Sequence, residues 1–326
     1  MKFYINKSTD AAFNLALEEL LGSTVDCFTV MLWQNANAVI IGRNQHTIQE
    51  INSSFVKENN IQVVKRLTGG GAVYHDMGNI NYTIIKPGKY LANEDFAPNA
   101  KFIIDALNNM GVPAEFSGRN DILACGKKIS GSARSYINNN TLFHGTLLFD
   151  ANMDILSNAL ACDPAKMVSK GIKSVRSRVG NLKELYFPTL TTKEFLPIFA
   201  QKIKEQFSDV QEEEIPNELI EKAELLAQER YRSWEWTYGS NWKYDVENSK
   251  RFPAGRVNVF FSVENNKISS VIFKGDFFGS CDIEILQEKL IGTPLKSEAI
   301  IEKLIEVNLN LYIENITPEE LAQLFG

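Results

Sequence analysis

The stretch VVKRLTGGGAVYHD, residues 63–76, decides how the rest of the chain is read. A β-branched run leads into three successive glycines, and the chain then reaches a histidine followed by an aspartate. Glycine tolerates positive φ and carries no side chain, so successive amides in such a turn make a concavity for an anion, phosphate above all. An isolated triplet is more often a tight turn or a bulge between strands, so its context must decide. No Gly-Lys-Ser/Thr follows, which excludes the usual nucleotide loop, and no suitably spaced glycines open a helix, which excludes the dinucleotide fingerprint. Arg66, two residues before Thr68, could set a guanidinium fork beside phosphate oxygens, or could form an ion pair at the surface.

Outward from this loop the chain reads as a mixed fold. TDAAFNLALEELLG, residues 9–22, offers Asp10 as an N-cap, apolar Phe13, Ala16, Leu17, Leu20 and Leu21 at helical spacing, and Gly22 as a stop. CFTVMLW, AVIIG, IQVVKR, INYTII and TLFHGTLLF are strand candidates around the glycines. NAKFIIDALNNMG is a helix terminated by Gly111, expected to cover one sheet face. Residues 211–239 contain a further helix and end in an aromatic knot, Trp234 and Trp236, read as core. NWKYDVENSKRFPAG then loses periodicity and carries proline and glycine, which places a domain boundary near residue 247. The expectation is a larger domain over 1–246 and a small α+β domain over 247–326. In the latter RVNVFFSV and KISSVIFKG are strands, DIEILQEKLIG and SEAIIEKLIEVNLN are helices, and no cluster of catalytic residue types is present.

Composition narrows the functional classes. At 326 residues, with 44% hydrophobic and 23% charged residues, the chain can bury a sizeable core and is not disordered. A net charge of -6 argues against a nucleic-acid partner, although a local basic patch can still hold an anion. Cys27, Cys125, Cys162 and Cys281 have no paired spacing, so neither a disulfide framework nor a zinc site is implied. His46, His75 and His144 lie far apart, which makes a histidine-rich metal centre improbable, so any metal arrives with a ligand. The first ten residues lack the apolar stretch of a secretion signal, and no run of about 18 apolar residues would span a membrane. A cytoplasmic protein with no membrane partner is expected.

Two further stretches carry charge where chemistry would want it. In GRNDILACGKKISGSARSY, residues 118–136, Asp121 is a carboxylate suited to a supporting or magnesium-facing place. If the segment is strand, adjacent Lys127 and Lys128, in alternation with Ile129 and Ser130, point to opposite faces, so one ammonium can face inward, where it needs an anion; taken alone, the stretch reads more readily as a hairpin with two exposed lysines. Residues 164–180 carry Lys166, Lys170, Lys173, Arg176 and Arg178 without one acid. That pattern fits a loop that orders on a phosphorylated ligand, or a solvated basic turn.

FNLALEELL, LWQNANAVIIGRNQ, RLTGGGAVYHDMGNINYTII, GRNDI, GKKISGSA, FHGTLLFD and KGIKSVRSRVGNL occur in an order that resembles the lipoate-protein ligases, over roughly residues 13–185. The resemblance implies a fold like that of biotin protein ligases and class II synthetase catalytic domains: a mixed β-sheet flanked by helices, with a small C-terminal domain. It implies ATP-dependent activation of lipoate to lipoyl-AMP, with magnesium accompanying the nucleotide. Transfer to a lysine of a lipoyl domain of a 2-oxoacid dehydrogenase E2 subunit, or of the glycine cleavage H protein, would follow.

By resemblance Arg66, Gly71, Ala72, Val73, Tyr74, Asp121 and Lys128 would line the ATP site, with Asp121 near the metal-bound phosphates. Leu17, Val73, His75, Lys128 and Ser130 would hold lipoate, and Phe13 is a further candidate wall. Lys128 would be the catalytic cation, and Lys170, Lys173, Arg176 and Arg178 would form the adenylate-binding loop. One departure from the family pattern is an arginine at Arg134 where some members carry it one position later, at the place of Ser135. The alternatives are an ATP-independent octanoyl or lipoyl transferase with Cys162 as nucleophile, and a non-catalytic lipoate-binding partner. No histidine neighbours Cys162 in sequence, and the basic loop and Lys128 are retained, which favours the ligase.

Overall fold

The computed structural model describes residues 1–88, 96–160, 178–239 and 244–326. Its strands are β1 (Lys2–Ile5), β2 (Thr29–Trp33), β3 (Ala38–Ile41), β4 (Gln62–Lys65), β5 (Val73–His75), β6 (Asn79–Pro87) and β7 (Ala114–Ser117). They continue as β8 (Asp121–Ala124), β9 (Lys127–Ile137), β10 (Asn140–Leu148), β11 (Gln211–Glu212), β12 (Val246–Phe252), β13 (Gly255–Glu264) and β14 (Lys267–Gly275). Eight of them form one mixed sheet in the order β11-β1-β2-β6-β10-β9-β8-β7, parallel only where β1 meets β2 and β11. This is the helix-flanked α+β architecture expected from the sequence.

The period of two along each strand divides the sheet into two faces. Val30, Leu32, Ile80, Tyr82, Ile84 and Phe143 turn to one side and pack on Ile103 and Leu107 of the helix Ala97–Asn108 and on Phe195 and Phe199 of the helix Thr192–Lys204. Met31, Trp33, Ile85 and Leu142 turn to the other, where they meet Leu15, Leu17 and Leu21 of α1 (Ala11–Thr24). Each large apolar side chain fully buried in these layers contributes about 1.5–3 kcal/mol.

Asp10 caps α1 by accepting from the Phe13 amide at 2.9 Å. Gly22 is not the stop expected from the sequence, because the helix runs on to Thr24. A side chain at Gly22 would come within 3.0 Å of Leu142, so the glycine serves packing of the helix against β10.

A second sheet, β4-β3-β5, stands against the α1 face of the first, with Ile40 and Val64 in the shared core. The third, β12-β13-β14, is an antiparallel meander whose Val257, Val259, Phe261 and Phe273 pack on Leu286, Leu290, Ile300 and Leu304 of the helices Ile283–Leu290 and Ser297–Glu306. Asn265 and Asn266 close its β13–β14 hairpin with φ of 52° and 58°, the left-handed pair that a two-residue turn requires. β12 corrects the reading of residues 241–255 as aperiodic: VENSKRF is an edge strand in which Val246 and Phe252, at its two ends, meet the core.

The aromatic knot is also corrected. Trp236 packs beside Tyr231 and donates to the Lys65 carbonyl at 2.7 Å, whereas Trp234 is 62% exposed and stacks on Tyr238. No helix among the described residues is long and apolar enough to cross a membrane.

Candidate active site

Between the α1 face of the large sheet and the small sheet β4-β3-β5 lies a cavity of about 170 Å³. Leu15 of α1, Trp33, Ile40 and Val73 give it apolar walls, and Lys128, His75 and Asn81 reach it with polar groups. Phe278, from the segment after β14, closes one side. Such a cavity, mostly apolar with a few convergent polar groups, suits a small molecule with a greasy body.

The three glycines divide their duties. A Cβ on Gly69 would strike the Phe277 carbonyl oxygen, and one on Gly70, whose φ is 88°, would lie 2.9 Å from the Phe278 ring. Those two are small because the chain's own C-terminal third packs on them. Among the described residues Gly71 has nothing within 4 Å of its Cβ position, and it is exposed, so it is the glycine that a ligand can approach. Arg66, 6% exposed, donates from Nε to Thr68 Oγ1 at 2.8 Å and from Nη2 to the carbonyls of Gly69 and Gly71 at 2.6 and 2.9 Å. Its fork therefore braces the loop from behind. Burial lowers its pKa to about 10, which leaves it cationic at neutral pH.

The second lysine of GKKISGSA enters the cavity through a slip in strand pairing. Ile122 faces Ser130 but Leu123 faces Lys128, so Ile129 is an extra residue on β9. Ile129 is buried with the helix-side core, and Ser130 shares a 3.0 Å hydrogen bond with the hydroxyl of Tyr82 on that same side. The strict alternation read from the sequence therefore breaks here, and Lys128 falls on the cavity side with Gly131. Its Nζ lies 2.6 Å from Asp121 Oδ1 and occupies the space where a Gly131 side chain would be, 2.9 Å from that Cβ position. Lys127 turns away and packs beside Gly180.

Behind the walls runs a directed chain of buried polar groups. Thr68, having accepted from Arg66, shares a 2.8 Å hydrogen bond with His144 Nε2, and His144 Nδ1 donates to the Glu18 carboxylate at 2.8 Å. Thr83 donates to Glu18 at 2.5 Å and accepts from Trp33 Nε1 at 2.8 Å. These bonds tie α1, β2, β6, β10 and the glycine loop into one rigid wall.

Of the residues singled out from the sequence, Arg66, Gly71, Ala72, Val73, His75 and Lys128 line the cavity. Leu17 does not: it is fully buried against the sheet, and Leu15 is the α1 residue at the wall. Phe13 also packs on that core rather than on the cavity. Tyr74 alternates away from Val73 and His75 and bonds through its hydroxyl to Asn37 at 3.0 Å. Ser130 is turned away by the slip, and Arg134 is committed to Glu314.

A family model described as the lipoyl protein ligase A/B catalytic domain matches residues 10–204, and one described as the bacterial lipoate protein ligase C-terminus matches residues 241–325. The chain belongs to the lipoate-protein ligase family. Lipoate-protein ligase LplJ of Bacillus subtilis (strain 168) is 38% identical over 329 residues, covering 99% of each chain. The crystal structure of P. falciparum LipL1 in complex with lipoate superposes with a TM-score of 0.75 at 26% identity, over 94% of each chain. An archaeal bi-partite lipoate protein ligase from Thermoplasma acidophilum, studied with its E2 lipoyl domain, gives 0.65 at 25% identity over 75% of this chain and 98% of that one.

Lys166, Lys170, Lys173 and Arg176 of the basic loop, and Cys162, lie outside the described residues of this lipoate-protein ligase. Arg178 is exposed, and immediately after it Val179 pairs with Lys128 while the Gly180 amide donates to the Lys128 carbonyl at 3.0 Å. The loop thus ends on the backbone of the cavity lysine. Among the described residues no group of three His, Cys, Asp or Glu side chains could hold a metal. Sequence reading missed Leu15, Trp33, Asn81 and Phe278. For Asn81 a signal existed, since in NINYTII it alternates with core residues and so faces the opposite side.

Proposed function

We propose that this lipoate-protein ligase converts lipoate and ATP to lipoyl-AMP and pyrophosphate. It then passes the lipoyl group to a lysine amine on a lipoyl domain of an E2 subunit or on the glycine cleavage H protein. The observation that carries this reading is the Lys128 ammonium, turned by a β9 slip into an apolar-walled cavity whose rim is the open glycine, Gly71.

In the first step a lipoate carboxylate oxygen attacks the α-phosphorus and the bond to the pyrophosphate oxygen breaks. Lys128 offsets the negative charge shared by the carboxylate and the phosphate, and the Gly71–Tyr74 segment offers backbone to the nucleotide. In the second step the acceptor amine attacks the acyl carbon, a proton leaves the nitrogen, and AMP departs as the C–O bond breaks. Lys128 then donates to the oxygen that becomes negative.

Asp121 supplies one carboxylate, a donor set that suits a magnesium ion held mainly by phosphate oxygens and water. The basic residues Lys170, Lys173, Arg176 and Arg178 retain the adenylate. Residues 1–246 carry both steps, and residues 247–326 form the accessory domain that presents Phe278 to the cavity.

Incubation of the purified protein with lipoate, MgATP and an apo lipoyl domain tests this. Pyrophosphate release and a lipoyl mass gain on the acceptor support it. Acyl transfer without ATP, through a thioester, would replace it by the transferase, and binding without either reaction would replace it by the non-catalytic partner.

A further inference from the structure

We infer that His75 and Asn81, both on the cavity wall, read the dithiolane ring and so make the enzyme prefer lipoate to octanoate. This deepens the ligase reading above and rests on it.

The protonation of His75 is set by a chain of amides. Asn14 Nδ2 donates to the carbonyls of Ser8 and Gln34 at 3.0 and 2.9 Å and lies 2.9 Å from Asn35 Oδ1. Asn35 therefore turns its oxygen toward Asn14 and its Nδ2 toward His75 Nδ1, 3.0 Å away. Nδ1 must accept, so the ring proton sits on Nε2. Burial, with Arg66 and His144 nearby, lowers the pKa of His75 to about 3, so the ring is neutral and Nε2–H is a neutral donor.

That donor has no partner among the described residues, although His75 is 4% exposed and lines the cavity. Asn81 also lines the cavity and is 2% exposed. Its Oδ1 is engaged by Asn79 Nδ2 at 2.9 Å, and its Nδ2 has no partner among the described residues. Exchanging both amide assignments would still leave one atom of Asn81 unengaged. Buried polar groups without partners are rare in native proteins and mark a place for a ligand or water.

Position assigns the ligand atom. Across the sheet, Asn81 of β6 pairs with Thr146 of β10, and Thr146 Oγ1 lies 3.3 Å from the Gly131 amide of β9, where the Lys128 ammonium rests. Two strand spacings, about 10 Å, therefore separate the head-group cation from Asn81. A medium-chain acid in extended form spans that gap with its carboxyl at Lys128 and its tail at Asn81, whose strand partner Trp33 has its ring 6.5 Å from that of His75. The intervening walls, Leu15, Trp33, Ile40 and Val73, supply only apolar contact, because Trp33 Nε1 is already engaged by Thr83.

Apolar walls discriminate weakly between chains of similar length. A dithiolane sulfur offers lone pairs to the Nε2–H, as a weak acceptor, whereas the methyl end of octanoate covers the donor and leaves it unpaired.

The test is ATP–pyrophosphate exchange on the full-length protein with lipoate or octanoate as the sole acid, for the wild type, His75→Phe and Asn81→Ala. The expected wild-type ratio of kcat/KM favours lipoate about tenfold, a modest value because sulfur accepts weakly. In His75→Phe the ratio falls to near one, and in Asn81→Ala it falls part of the way. Because both acids are measured on one preparation, loss of folded protein cancels from the ratio. A wild-type ratio near one, or an unchanged ratio in His75→Phe, overturns the inference and leaves the ligase reading standing. Absence of exchange with either acid in the wild type overturns the ligase reading itself.

Discussion

Arg134 Nη2 lies 3.1 Å from each carboxylate oxygen of Glu314, a buried contact between residues 180 apart in sequence. The Arg134 guanidinium also sits 4.6 Å over the Phe96 ring. The pair joins β9, which carries Lys128, to the C-terminal unit, which carries Phe278. Removing either member takes away the counter-charge that these buried contacts supply to the other. Glu314→Ala should therefore cost about 3–5 kcal/mol, while Arg134→Met with Glu314→Leu should recover most of it. Urea unfolding at neutral pH measures both, and an unshifted midpoint in Glu314→Ala would show the pair to be idle.

Lys128→Ala should slow lipoyl-AMP formation by two to three decades, about 3 kcal/mol of transition-state stabilisation. The side chain is partly exposed and its loss opens no core cavity, so the melting temperature should hold. Pyrophosphate release at the wild-type rate would remove Lys128 from the chemistry.

Gly70 and Gly71 should respond in opposite ways to alanine. Gly70→Ala meets both a φ of 88° and the Phe278 ring, and the backbone conformation alone costs roughly 1–2 kcal/mol. Gly71→Ala meets nothing among the described residues, so it should melt like the wild type while raising the KM for ATP. Equal melting temperatures for the two variants would contradict this division.

Acid should destabilise the fold through His75. Its folded pKa is about 3 against an ordinary histidine value of 6.5, so between those limits the unfolded chain binds the extra proton. The contribution is complete above pH 6.5 and declines as the pH falls toward 3. His75→Phe should accordingly show a smaller loss of stability between pH 7.5 and about 5 than the wild type, read as urea midpoints at each pH. Parallel losses in the two proteins would show that His75 does not carry the effect.

Much of the architecture was legible in the chain. Asp10 and the spacing after it announced α1, and β-branched runs announced β2, β3, β4, β6 and β10, because capping and side-chain alternation act within a few residues. β12 escaped because its apolar residues that meet the core, Val246 and Phe252, stand at its two ends, so VENSKRF shows no short-range alternation. At the cavity, Arg66, Gly71, Val73, His75 and Lys128 stood out by residue type, whereas Leu15 and Leu17 are both apolar positions on α1 and only the neighbouring sheet says which one meets the cavity.

What the sequence determined by itself was thus the order of elements, the anion-suited glycine turn and the family it resembles. Each of these is written in short-range pattern. Tertiary structure alone decided that Ile129 is the extra residue that swings Lys128 inward, that Gly69 and Gly70 yield to Phe277 and Phe278, and that Arg134 answers Glu314. Ladder register and packing between distant segments belong to pairs of surfaces, and neither member of such a pair encodes them alone.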